Sequence, residues 1–229
     1  MLRTLLFTGL LIATNAFAET PTVVPTPARV VFPGALDPSF GVAGYAPAPS
    51  RPAAFTAVAT QPDGRIVVVG NVFGTDTVVI RYDANGILDE SFGDRGVVVP
   101  GAFAGGALAI APDGDVIVVG SAGCCDVGVL RLHDDGTADE SFAGGIATTD
   151  IGTFDTATAV LAQKNGRILV LAEANDAAVS APLNGAVAVL AYRADGTLDP
   201  TFGKSGIARI SGLPVDGFTA RSPSTTRAA

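Results

Sequence analysis

The sequence predicts an all-β fold: antiparallel four-stranded blades in a β-propeller-like array, three full repeats and a partial fourth, as an open or truncated ring. Three observations carry that prediction. Three short phrases recur in one fixed order at an interval near 50 residues. Continuous runs of Val, Ile and Leu, four residues long, follow turn signals. The composition is 48% hydrophobic and 16% charged with 28 Gly and 15 Pro, which suits short strands and tight turns and excludes a charge-rich disordered chain.

The clearest phrase is Leu36-Asp37-Pro38-Ser39-Phe40-Gly41. It returns as Leu88-Asp89-Glu90-Ser91-Phe92-Gly93, Ala138-Asp139-Glu140-Ser141-Phe142-Ala143 and Leu198-Asp199-Pro200-Thr201-Phe202-Gly203, at intervals of 52, 50 and 60 residues. A hairpin phrase keeps step: Gln61-Pro62-Asp63-Gly64-Arg65-Ile66, Ala111-Pro112-Asp113-Gly114-Asp115-Val116 and Gln163-Lys164-Asn165-Gly166-Arg167-Ile168. A third is Arg81-Tyr82-Asp83-Ala84-Asn85-Gly86, Arg131-Leu132-His133-Asp134-Asp135-Gly136 and Tyr192-Arg193-Ala194-Asp195-Gly196.

These phrases place the strands in order. Phe55–Ala59, Ala107–Ala111 and Thr158–Ala162 precede the hairpin turns and form first strands. Ile66–Val69, Val116–Val119 and Ile168–Leu171 follow the turns and are apolar throughout, as for strands covered on both faces. Val78–Tyr82, Val127–Leu132 and Val187–Tyr192 supply third strands, and Val97–Val99, Ile146–Thr148 and Ile207–Arg209 the fourth. In the linking phrase, Asp two residues before Ser or Thr accepts hydrogen bonds from the following turn. Its Phe is suited to plugging the seam between sheets, and the Gly after it, replaced by Ala143 in one copy, to a sharp turn.

The ordered phrases resemble the bacterial delta-60 repeat family, whose units pair a PDGKI-like hairpin with an ARY-type strand and an LDxSFG close; the likeness spans about Leu36 to Ile210. It implies a β-propeller-like fold in exported proteins and brings no catalytic residues. Ala138, Ala143, Lys164-Asn165 and Ala191 depart from the pattern.

Residues 1–18 read as a signal peptide: Arg3 is the positive region, Leu5–Ala13 the short apolar stretch, and Ala16-Phe17-Ala18 the cleavage site before Glu19. The expected location is therefore extracellular or periplasmic, with no membrane span after removal. Residues 19–35 form a Pro-rich leader, 36–210 the repeats, and 211–229 the start of an incomplete repeat and a polar tail. A formal charge of −8 without a basic cluster argues against nucleic acid as a partner. Open blade edges are a route to self-association.

The chemistry-bearing residues are few. The adjacent Cys124 and Cys125 read as part of a small-residue loop, a strained vicinal disulfide being the functional alternative. His133, the one histidine, takes the place of Asp83 and Arg193 beside a turn. Asp83-Ala84-Asn85-Gly86 and Asp134-Asp135-Gly136 read as turns, and Asp76 and Asp126 repeat as structural parts do, with calcium binding the weaker alternative. No cluster of acids confined to one repeat is legible, so no catalytic site, cofactor or metal is expected.

The third repeat carries eight extra residues within Glu173–Gly185. Glu173, Asn175, Asp176 and Asn184 are the candidate interaction residues of that loop, with a protein or carbohydrate as ligand. The expected function is an exported scaffold or binding module, not an enzyme. The alternative is a metal-dependent propeller hydrolase or lyase.

Overall fold

A computed structural model describes residues 34–49, 54–72, 76–101, 103–175 and 186–210, with Asn175 and Ala186 described by their backbone alone. The chain divides into Met1–Ala35 and Leu36–Ala229, and every described strand belongs to the second unit. The predicted signal peptide, the leader as far as residue 33, and residues 211–229 lie outside the described residues.

Among the described residues twelve strands form three four-stranded antiparallel sheets, each a meander in chain order. Sheet 1 holds β1 (Ala54–Thr60), β2 (Ile66–Asn71), β3 (Thr77–Tyr82) and β4 (Val97–Val98). Sheet 2 holds β5 (Phe103–Ile110), β6 (Val116–Ala122), β7 (Asp126–Leu132) and β8 (Ile146–Thr149). Sheet 3 holds β9 (Phe154–Ala162), β10 (Ile168–Asn175), β11 (Ala186–Tyr192) and β12 (Ile207–Ile210). All twelve predicted strands are present. The first strands of sheets 2 and 3 start four residues earlier than read, because Phe103–Gly106 and Phe154–Ala157 extend the ladder through a bulge.

Two apolar seams stack the sheets. Val67, Val69 and Val79 of sheet 1 meet Val116, Val118, Leu130 and Leu132 of sheet 2. The other face of sheet 2, with Ile117, Val119 and Val129, meets Ile168, Val170, Leu190 and Tyr192 of sheet 3. A sheet covered on both faces has no need to alternate, which is why β6 reads as an unbroken apolar run. The remaining face of sheet 3 departs from that expectation: Leu171 is 38% exposed where its counterpart Val119 is fully buried. Among the described residues the sheets do not close into a ring, and sheets 1 and 3 share no buried cluster.

The linking phrases lock each sheet to the next. Asp37, Asp89, Asp139 and Asp199 each accept both the amide and the hydroxyl hydrogen of the Ser or Thr two residues on. The amide after Phe40, Phe92 and Phe142 then donates across to the turn that follows the third strand of the next sheet: Gly41 to Asn85, Gly93 to Asp135 and Ala143 to Asp195, at 2.6, 2.8 and 3.0 Å. Phe92 and Phe142 are fully buried in the seams, as predicted. Gly136, at φ +86°, lets Phe92 approach, since a Cβ there would stand 3.0 Å from the ring and 2.7 Å from the Gly93 nitrogen.

An arginine completes the lock that follows each of the three sheets. Arg81, 1% exposed, bonds Asp89 at 2.8 Å and lies 4.6 Å over the Phe92 ring. It also donates to the Asp134 carbonyl of the next sheet. Arg131 repeats the role with Asp139 at 3.2 Å and the Ala194 carbonyl at 3.4 Å. In sheet 3 the equivalent position is Ala191, and Arg167 from the hairpin turn takes over, 3.0 Å from Asp199 and 5.2 Å over Phe202. The arginine changes its root but not its partner.

Burial pushes the Asp89 and Asp139 carboxyls up, but the Ser91 and Ser141 hydrogen bonds and the Arg81 and Arg131 charges outweigh it and hold both below 3.8. The Thr201 hydroxyl and amide, with Arg167, do the same for Asp199.

Candidate functional site

Antiparallel meanders send their turns to two ends. The hairpin and linking phrases share one end, where the Arg–Asp locks repeat. The β2–β3, β6–β7 and β10–β11 loops and the connectors between sheets share the other, and there the repeats differ.

The predicted interaction loop falls between β10 and β11, whose adjoining ends lie at this second end. Glu173 lies on β10, exposed, paired with Thr156 of β9 and Val187 of β11. β10 ends at Asn175 and β11 resumes at Ala186. Asp176 and Asn184, with the Asn175 side chain, lie outside the described residues.

The same end gathers a group that the sequence did not reveal. Asp126 opens β7, Asp150 lies in the connector after β8, and Asp155 lies on β9 opposite Ala174, next to Glu173. One carboxylate oxygen from each stands within 4.8 Å of the others. Asp155 is 1% exposed. Its Oδ2 accepts the Ile151 amide at 2.6 Å, while its buried Oδ1 has no hydrogen-bond partner among the described residues. Burial raises the Asp155 carboxyl above 3.8; the Ile151 amide opposes this, and Asp150 and Asp126 reinforce it. The group is not confined to one repeat; it is assembled across the seam between two repeats and their connector. Asp126 does match Asp76, but Asp155 stands where sheet 2 has Phe103, and Asp150 lies in the connector between β8 and β9. Superposing the repeats at their connectors, not only at their shared phrases, would have exposed the substitution of Asp for Phe.

Cys124 and Cys125 border this group unbonded to one another. The Cys125 carbonyl accepts the Asp155 amide at 2.7 Å. Cys124, then burial, then Asp126 and Asp155 push the Cys125 thiol up to about 11, which disfavours the nucleophilic thiolate.

At the locked end, His133 is 49% exposed, 3.5 Å from Asp115 and 3.8 Å from Asp139. These three also lie close enough for a metal, but Arg131 already bonds Asp115 at 2.9 Å and Asp139 at 3.2 Å. The guanidinium occupies the position that a cation would need. The Asp83 and Asp135 turns close on their own amides, as expected of plain turns.

Three stacked antiparallel meanders locked by a repeated linking phrase define a repeat protein of the β-propeller kind. Residues 61–92 and 111–142 match the model of a family described as "Domain of unknown function (DUF5122) beta-propeller". Both matches run from the hairpin phrase to the buried Phe of the link, so the matched unit is the locked part of a blade. No curated protein matches the chain. No helix among the described residues is long and apolar enough to cross a membrane.

Proposed function

We propose that the chain is an exported, non-catalytic scaffold or binding module of the delta-60 repeat type, recognising a protein or carbohydrate through the enlarged β10–β11 loop. The observation that carries this reading is the division of labour between the two ends of the sheets. One end is spent on locks that recur in every repeat. The loop in question leaves from the other end, where the repeats diverge. Rigid strands below and a repeat-specific loop above are the usual arrangement for recognition. The sequence features of residues 1–18 support export to the periplasm or medium. The half-exposed face of sheet 3 around Leu171 supports self-association, since the counterpart face of sheet 2 packs on another sheet.

The test is a variant lacking eight residues between Asn175 and Ala186. Loop length enters stability weakly, about 0.6 kcal/mol per doubling, so the thermal midpoint is expected to move little. Binding on a glycan array or to purified envelope proteins is expected to disappear. Loss of fold with no separable binding defect would make the loop a packing element and refute the reading. Mass spectrometry of the exported protein is expected to find Glu19 at the N-terminus.

A further inference from the structure

We propose that Asp126, Asp150 and Asp155 form a binding site for a calcium-like divalent cation that clamps sheet 2 to sheet 3. The three residues come from the two sides of the seam and the connector between them, and one oxygen of each lies within 4.8 Å of the others. A cluster of acids alone would mean little. The distinguishing feature is Asp155, 1% exposed with its Oδ1 buried and, among the described residues, unpartnered. An ionised carboxylate in that setting is costly unless a positive charge or a proton meets it.

Elsewhere the molecule shows how it treats acids that it buries. Asp89 has Arg81, Asp139 has Arg131, and Asp115 has Arg131 as well. Among the described residues no arginine or lysine lies within 4 Å of the Asp126, Asp150 or Asp155 carboxylates. Arg209 comes near but spends its Nη2 on the Ile151 carbonyl at 2.8 Å. The positive charge supplied by arginine at the locked end is missing here, while three carboxylates converge.

The donor set selects the ion. Carboxylate oxygens favour a hard cation, and calcium tolerates the irregular geometry of ligands drawn from two strands and a connector. Magnesium demands a tighter octahedron and holds its waters. The Asp150 Oδ1 already accepts the Gly152 amide at 3.1 Å, which fixes that carboxylate beside Asp155.

The full chain is to be titrated with calcium chloride by calorimetry, with thermal unfolding followed in calcium, in magnesium and in chelator. We expect saturable binding of one calcium per chain at sub-millimolar to millimolar concentration, and a midpoint that rises in calcium more than in magnesium. Asp150→Asn, at an exposed position, is expected to weaken calcium binding at least tenfold. Asp155→Asn is expected to abolish the calcium response and raise the midpoint in chelator, because it removes a buried carboxyl with nothing to neutralise it. A parent chain indifferent to millimolar calcium overturns the proposal and leaves Asp155 a neutral buried acid. A calcium shift that survives both substitutions overturns it equally.

Discussion

The seam between sheets 1 and 2 and the seam between sheets 2 and 3 are built from one plan and finished differently. At the locked end they agree: a buried Phe, an Arg–Asp pair, and an amide reaching the turn after the third strand of the next sheet. At the loop end they part. The first seam is closed by Phe103, with the Thr77 hydroxyl donating to the Phe103 carbonyl and accepting the Gly105 amide, both at 2.6 Å. Asn71 adds a bond to the Gly105 carbonyl at 2.9 Å. In the second seam the same positions hold Asp155, Val127, Ala157 and Ser121. The Tyr192 hydroxyl bonds Thr149 there at 2.8 Å, and burial, only partly offset by that bond, pushes the phenol up to about 12. A repeat protein can thus hold its stacking constant at one end and leave the other free to vary.

If the locks are equivalent, emptying them should cost the same. Phe92→Ala and Phe142→Ala are each expected to lose about 3–5 kcal/mol in urea unfolding, the range for a buried Phe truncated in a core. Phe202, only half-buried, should lose distinctly less. A large difference between Phe92 and Phe142 would break the equivalence of the two seams.

The loop-end difference is open to exchange. Thr77→Val strands the Phe103 carbonyl and the Gly105 amide, and Val127→Thr puts a hydroxyl into the apolar cluster that Val127 shares with Val129 and Ala157, opposite a Ser121 whose own hydroxyl already bonds the Asp155 carbonyl. Both are expected to cost about 1–3 kcal/mol by denaturant midpoint. A neutral result for either would mean that the seams are interchangeable after all.

What is legible in the sequence follows this same division. The locks repeat, so the linking phrases by themselves announce the strands, the turns and the seam position of Phe92 and Phe142. The loop end does not repeat. Phe103-Ala104-Gly105-Gly106 resembles a glycine-rich loop because its glycines serve close packing: a Cβ at Gly105 would stand 2.9 Å from Val69. Asp126 is far in sequence from Asp150 and Asp155 and no spacing rule joins it to them; only the stacking of sheet 3 on sheet 2 does. The exchange of Arg131 for Arg167 at the third lock is hidden too, since Ala191 reads simply as a missing arginine.

Acid should act on what the seams share. Asp89, Asp139 and Asp199 are held below 3.8 in the folded chain. Their contribution is therefore fully present above the unfolded value and is lost as pH falls through the lower folded values. Urea midpoints measured from pH 6 down to pH 2 should fall, and Asp89→Asn should make that fall shallower. An unchanged acid slope in this variant would mean that Asp89 gains nothing from Arg81 and Ser91.

The smallest expected effect concerns the one irregular lock. Three links place Gly after the Phe, at φ between +52° and +55°, whereas the link between sheets 2 and 3 holds Ala143 at φ +48°. A Cβ in the left-handed region crowds the neighbouring carbonyl and costs roughly 1–2 kcal/mol. Ala143 persists because the chain beyond it turns through Gly144 and Gly145, at φ +76° and +100°, and its methyl faces the open Cα of Gly196. Ala143→Gly should relieve the backbone and forfeit a small methyl contact, for a net gain of about 0.5–1 kcal/mol. The reverse exchange, Gly93→Ala, is not symmetrical, because its Cβ would stand 2.5 Å from the Val97 carbonyl oxygen. It should therefore destabilise by more than Ala143→Gly stabilises. Equal and opposite shifts in the urea midpoint would show that the two links feel the same strain, and that the turn after Ala143 offers it no relief.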